Sequence, residues 1–371
     1  MAVHQHARIT DEAIADLKRR IGLDLRVKRY NEAASKDAIR HFAEAIGDIN
    51  PLWSEETYAS KTKYGCIIAP PCWLYSVWWA GGSWGGLPGI HDFNSGCDWE
   101  FYKPVRLNDT IAVKARIVDV VEKPSRFAGR MIIQTGEGLY LNQRDEAVGK
   151  GRAWNIRVER NAPKEHGKYA HIKKAEYTPQ QLKAIEEDID REEVRGSVPR
   201  YWEDVKEGDK LVPIVKGPLS MSDEIAWCMG AGSPYIRAHR YSLDYKRRHP
   251  AIKMVDSTTG NVDIPELVHM EESRAQEIGV PGAYDYGPQR ISWMSNLVTN
   301  WMGDDGWLKR LYVEVRQFNV LGDTTWCKGK VVKKYMDGTQ HLVDLELWAE
   351  NQRNEITAPA KATVILPSRT L

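Results

Sequence analysis

The segments of residues 1–160 recur in the same order in residues 200–371, and this repetition limits the possible folds more than any other feature of the chain. Leu141-Asn142-Gln143-Arg144-Asp145-Glu146 is answered by Glu350-Asn351-Gln352-Arg353-Asn354-Glu355, each followed by a final alternating stretch. SKDAIRHFAEAIGDINP pairs with SMSDEIAWCMGAGSP, and LWSEETYASKTKYG with VHMEESRAQEIG. PPCWLYSVWWAGG pairs with YGPQRISWMSNLVTNWMG, and FYKPVRLNDTIAVKARIVDVV with VRQFNVLGDTTWCKGKVVKKY. The order is kept throughout, with an offset near 210 residues beyond the second copy's insertion, which chance similarity would not maintain, so the chain is a tandem duplication.

Each copy therefore has to form one folding unit. Thr10 caps a short helix over residues 10–22, and residues 25–29 are expected as a strand. Ser35 caps a helix whose apolar positions Ile39, Phe42, Ala43 and Ile46 recur at helical spacing. A second apolar helix is expected from the prolines at 70 and 71. From Asp98 onward the pattern alternates apolar and polar residues between turn signals, as in long antiparallel strands. Helix followed by strands, twice, predicts an α+β fold with a sheet wrapped round a helix in each copy. The boundaries are an N-terminal unit at residues 1–160, a charged linker with its own helix at 161–199, and a C-terminal unit at 200–371. The second copy carries one insertion, residues 235–263, rich in Tyr, Arg and Lys. It reads either as a surface loop or as a lid that contacts substrate phosphate.

Composition excludes several classes of partner. A formal net charge of +1 gives no electrostatic case for nucleic acid or an anionic membrane surface. No stretch is long and apolar enough to span a bilayer, and the N-terminus lacks the apolar core of a signal peptide. Five scattered cysteines without C-x-x-C spacing point to a reducing cytoplasm and away from a zinc site or disulfide framework, so no metal and no cofactor is expected. Fourteen tryptophans against five phenylalanines suggest flat apolar surfaces lining a pocket or an interface.

The chemistry-bearing stretch runs from Pro265 to Trp293. His269 precedes an amphipathic helix beginning at Glu271 and Glu272, and Tyr286-Gly287-Pro288 opens a long apolar helix, with proline where its missing N–H is not needed. A histidine and the Gly287 N–H can thus face one crevice. A helix-start N–H polarises a carbonyl whose oxygen gains charge, and a neutral histidine handles a water proton. That pair suits addition of water across, or its removal from, a bond conjugated to a thioester.

At Gly47-Asp48-Ile49-Asn50-Pro51-Leu52, with Ala59 beyond, the first copy resembles the MaoC-like (R)-specific enoyl-CoA hydratases and dehydratases, whose signature runs Gly-Asp-x-Asn-Pro-x-His. Ala69-Pro70-Pro71 and the strand from Lys103-Pro104-Val105 to Asp109 resemble the same family. The resemblance implies a double hot-dog fold and a lyase of lipid metabolism that interconverts trans-2-enoyl-CoA and 3-hydroxyacyl-CoA. It also implies an active site in which aspartate and histidine hold the water while a glycine N–H binds the thioester oxygen. Where the family has histidine, the first copy has Trp53, and eighteen residues on it has Pro71, which has no N–H. From His269 the same count reaches Gly287. The resemblance thus assigns catalysis to His269 and Gly287 in the second copy and binding to the first.

The family's aspartate has no counterpart in the second copy, where Gly47-Asp48 corresponds to Gly230-Ala231. Asp263 is the first candidate to replace it, then Asp256, then Glu271 or Glu272. Asp48 is expected to cap its own loop. Tyr286, Arg290, Trp73 and Trp78 are the candidate substrate-binding residues, with Arg290 on a CoA phosphate and the tryptophans, Trp79 included, around a bulky, even polycyclic, acyl group. Two other functions fit the residues: a thioesterase using Asp285, or a non-catalytic acyl-CoA-binding protein. The expected partner is an acyl-CoA thioester, with a monomer and a homodimer both open.

Overall fold

The computed structural model describes residues 7–80, 85–125, 129–160, 172–233, 235–256 and 259–370. Residues 161–171 of the linker expected at 161–199 lie outside the described residues. In the first repeat, α1 (Asp11–Arg19), α2 (Lys36–Ile46) and α3 (Glu56–Ala59) precede four long strands, β1 (His91–Phe101), β2 (Ala112–Ser125), β3 (Gly129–Leu141) and β4 (Ala147–Val158). The side chains of Thr10 and Ser35 accept the N–H groups of Ala13 and Ala38, each satisfying a donor that a helix start leaves over. Helix α4 (Pro179–Asp190) crosses to the second repeat, which opens with β5 (Ile214–Lys216) and α5 (Met221–Gly230). The insertion forms α6 (His239–Arg248) and a small hairpin, β6 (Met254–Val255) with β7 (Val262–Asp263). Helices α7 (Glu272–Glu277) and α8 (Gly287–Met302) lead to β8 (Trp307–Glu314), β9 (Thr325–Asp337), β10 (Gln340–Asn351) and β11 (Ile356–Ile365).

All nine main strands join one antiparallel sheet in the order β2-β3-β4-β1-β8-β11-β10-β9-β5. The repeats meet where β1 pairs with β8, from Gly96 opposite Glu314 to Glu100 opposite Arg310. Each repeat thus covers the edge the other would expose. Helix α8 lies in the concavity with every residue from Pro288 to Met302 buried. Its apolar positions share one core with Trp73, Trp99 and Leu311.

Two elements depart from expectation. Residues 25–29 form no strand: the chain meets the edge strand β2 at their start and just before it, through single bridges at Ile21 and Asp24 and the N–H groups of Gly22 and Leu25. The first repeat's central helix is a short 3-10 turn, Pro71–Ser76, where the second repeat has the 16 residues of α8. The sequence explains the shortening: Gly81, Gly82, Gly85 and Gly86 follow closely, each costing a helix about 1 kcal/mol relative to alanine.

Candidate active site

Between the repeats lies a cavity of about 790 Å³, within the range of small-molecule sites. Its second-repeat wall comprises Glu266, His269, Tyr284, Tyr286 and Gly287, and its first-repeat wall comes from β1 and β4. The matching crevice of the first repeat, lined by Trp53, Pro70 and Pro71, holds about 30 Å³, room for a water but not an acyl thioester. Trp53 itself is buried there.

His269 ends a 3-10 turn, Pro265–His269. Its Nδ1 lies 2.7 Å from the Tyr284 carbonyl oxygen, which can only accept, so Nδ1 carries the proton and Nε2 is left with its lone pair. The ring stacks on Tyr286 with centroids 3.8 Å apart, at an interplanar angle of 23°. Burial pushes the imidazole down to about 4 against the opposing pull of the Tyr284 carbonyl, so it is neutral at physiological pH.

Tyr286 immediately precedes Gly287, the first residue of α8, so the ring on His269 is one residue from a helix-start N–H. The lack of a side chain at Gly287 is required: a Cβ there would stand 2.5 Å from Asn94 Oδ1 and 2.9 Å from Asn94 Cβ on the facing strand. The site is therefore assembled across the two repeats.

Of the acids near His269 in sequence, Glu266 lines the cavity with it, and Asp263, Asp256, Glu271 and Glu272 do not. Residues i and i+3 of a 3-10 turn eclipse, so Glu266 and His269 share one side of theirs, and both line the cavity. Glu266 accepts a 2.8 Å hydrogen bond from the Ser233 hydroxyl, yet burial pushes it up to about 7. The P-E-L-V-H spacing would have pointed to it had the segment been read as a 3-10 turn.

The other acids are committed elsewhere. Asp263, at the end of β7, accepts the N–H of the next residue, Ile264, on its Oδ1 at 2.9 Å and does not line the cavity. Asp256 and Glu271 face the buried guanidinium of Arg274, and Glu272 pairs with Lys174 on the surface. Asp48 accepts the Asn50 N–H at 3.1 Å, capping its own loop.

Asp285 and Arg290 do line the cavity, but they hold one another. Arg290 Nε donates to Asp285 Oδ2 at 2.7 Å and a second nitrogen donates to Oδ1; its remaining bonds go to the carbonyls of Gln317 and Thr357. Both side chains are buried, so the expectation of Arg290 on a CoA phosphate is corrected: the guanidinium neutralises Asp285 inside the protein. The same pairing leaves Asp285 poorly suited to act as a thioesterase nucleophile.

Two tryptophans are also reassigned. Trp73 and Trp78 lie in the core rather than at the cavity, and Trp73 Nε1 donates to the Ala38 carbonyl at 3.1 Å. With a 3-10 turn in place of a longer helix, it is Trp79 that faces the ligand space. Among the described residues no helix is long and apolar enough to cross a membrane.

Comparison with known proteins agrees with this architecture. Residues 21–150 match the family model described as FAS1-like, dehydratase domain region. A 3-hydroxybutyryl-CoA dehydratase of Methylorubrum extorquens is 29% identical over 137 residues, 33% of this chain and 85% of that one. The match to a UPF0336 protein of Streptomyces avermitilis is 26% identical and spans 61% of that protein but 23% of this chain. Among solved structures, a MaoC-like dehydratase superposes with a TM-score of 0.67 at 16% identity, covering 95% of this chain and 100% of its own. A Mycobacterium tuberculosis protein described as having a double hot-dog fold gives 0.54 at 9% identity, covering 92% and 96%. The chain is thus a double hot-dog protein with the fold of the MaoC-like dehydratases, and residues 21–150 of its first repeat match the FAS1-like dehydratase region.

Proposed function

We propose that the chain is an acyl-CoA hydratase/dehydratase, interconverting a trans-2-enoyl-CoA and a 3-hydroxyacyl-CoA in the cavity between its repeats. One observation carries the reading: a neutral histidine, its Nδ1 committed to a carbonyl and its Nε2 free, shares a cavity with a buried carboxyl and the first N–H of a helix. The 3-hydroxybutyryl-CoA dehydratase relative is consistent with the same chemistry.

In this reading the thioester oxygen lies on the Gly287 N–H, which stabilises the enolate-like charge formed when water adds. His269 Nε2 removes a proton from water as its oxygen bonds to the β-carbon. Protonated Glu266 delivers a proton to the α-carbon, and dehydration retraces these steps. General acid–base catalysis of this kind contributes about 10²–10⁴-fold and one oxyanion donor about 10²–10³-fold.

His269→Ala should lower the hydration rate, followed by loss of enoyl absorbance, by at least about 10²-fold. Thermal stability should change little. A variant that hydrates at the wild-type rate would refute the assignment, and stoichiometric release of free thiol by the wild type would point to a thioesterase.

A further inference from the structure

The first-repeat wall of the cavity is polar where a sheet's inner face is normally apolar. Along β1, Cys97, Trp99 and Phe101 point into the core, and strict alternation would turn Asn94 and Asp92 outward. A bulge between Asn94 and Gly96 adds a residue and reverses the parity. Gly96 permits it, since a Cβ there would meet the Trp154 ring and the Val313 carbonyl within 2.5 Å. Asn94 then stands opposite Asn155, and Asp92 opposite Arg157, on the face that carries Ala153 into the core. These side chains, with His91 and Arg160, line the cavity.

The charges on this wall do not balance. Arg157 is 2% exposed. It donates to Gln134 Oε1 and to the carbonyls of Leu87 and Ile90, all neutral acceptors. Arg160 donates to the carbonyls of Ala251 and Lys253. Neither guanidinium makes an ion pair with a described carboxylate. Asp92, the acid nearest Arg157, accepts the Asn155 amide at 2.5 Å. Two cations thus face one carboxylate. The Nε atoms of both arginines, His91 Nε2 and the Oδ1 atoms of Asn94 and Asn155 are buried without partners. Burying an unpaired cation costs several kcal/mol, and an anion brought into the same cavity offsets that cost.

Resting on the hydratase reading above, we infer that the acyl group taken by this site ends in a second carboxylate, held against Arg157 and Arg160, rather than in a bulky hydrocarbon. Asn94 marks the position of the Gly287 donor, and Asp92, opposite Arg157, is two residues further along the strand, or ~7 Å. That span suits a short dicarboxylic monothioester of about four to six carbons. A CoA phosphate has the same anionic chemistry, but the depth of Arg157 favours a group at the acyl end.

The test measures binding of saturated thioesters, which a hydratase cannot turn over, and so reads the pocket independently of the chemistry. Succinyl-, glutaryl- and adipyl-CoA are titrated against butyryl-, valeryl- and hexanoyl-CoA, with free CoA as reference. At least one dicarboxylic thioester should bind about 10–10²-fold more tightly than its uncharged counterpart. Arg160→Gln should reduce that preference, and Arg157→Gln should abolish it, each leaving the uncharged thioester within about threefold. Should Arg157→Gln fail to fold, Arg157→Lys and Arg160→Gln carry the test. A wild type that prefers the uncharged series would overturn the inference. Equal weakening of both series and of free CoA would overturn it too, by assigning the arginines to a phosphate. Failure of the hydratase reading alone would leave the binding preference intact.

Discussion

Replacing Glu266 with glutamine tests the proposed acid in two independent ways. Hydration requires neutral His269, pushed down to about 4, and protonated Glu266, pushed up to about 7. Wild-type kcat/KM should therefore rise with pH through about 4, stay level, and fall about tenfold per unit above about 7. Glu266→Gln should lower the plateau by about 10²–10⁴-fold and remove the upper limb, because glutamine neither donates the proton nor titrates. The second readout is stability. A carboxyl whose pKa is raised on folding stabilises the native state below its unfolded value near 4.5, and that contribution is lost as pH rises through about 7. The rise of about 2.5 units corresponds to about 3 kcal/mol at 1.36 kcal/mol per unit. The variant keeps an amide oxygen to accept from Ser233, so it should match the wild type near pH 4 and exceed it by up to about 3 kcal/mol at pH 8. Initial rates between pH 4 and 9 and urea melts at pH 4.5 and 8 supply both readouts. The assignment fails if the upper limb survives in Glu266→Gln, or if Asp263→Asn, at a carboxylate that accepts the next residue's N–H, loses activity to the same extent.

Three further substitutions separate catalytic from structural roles. Gly287→Ala drives a methyl group into Asn94, so melting should show a loss of about 1–3 kcal/mol and kcat/KM should fall; Asn94→Ala in the same chain should restore only part of the stability, because the Asn94 Cβ contact at 2.9 Å remains. Asp285→Asn leaves Arg290 buried and unpaired, so denaturant unfolding should show a loss of about 3–5 kcal/mol, and a stable but inactive variant would instead revive a catalytic role for Asp285. Trp53→Ala should cost about 3–5 kcal/mol in the same measurement while leaving kcat unchanged, because the crevice it fills does no chemistry.

The parts of this architecture that were legible in the sequence are those set by long patterns. Duplication, strand alternation and the caps at Thr10 and Ser35 each extend over many residues or rest on a local hydrogen bond, and the structure reproduces them. His269 and Gly287 were found because the two copies can be counted against each other, and both line the cavity. What was missed depends on parity. Reading Pro265–His269 without its 3-10 geometry left Glu266, which lines the cavity, out of the candidate acids. Treating the segment after Pro71 as a full helix put Trp73 and Trp78 beside the ligand together with Trp79, and only Trp79 lines the cavity. Alternation was read only from Asp98, whereas β1 begins at His91: the bulge adds one residue that turns Asp92 and Asn94 inward, and no propensity scale registers it.

These parity changes bear on what became of the first repeat. Its own crevice is closed by Trp53 and Pro71 to about 30 Å³, too small for an acyl thioester. Its sheet is another matter: Asn94 sets the space above Gly287, and Arg157 stands two residues along in register. A copy kept only to complete the core would have no reason to bury polar side chains on its inner face, where each unpaired group costs about 1–3 kcal/mol. The loss of the helix in the first repeat and the polarity of its strands therefore find one explanation in the proposed function: one copy would supply the reacting groups and the other the wall that selects what they act on.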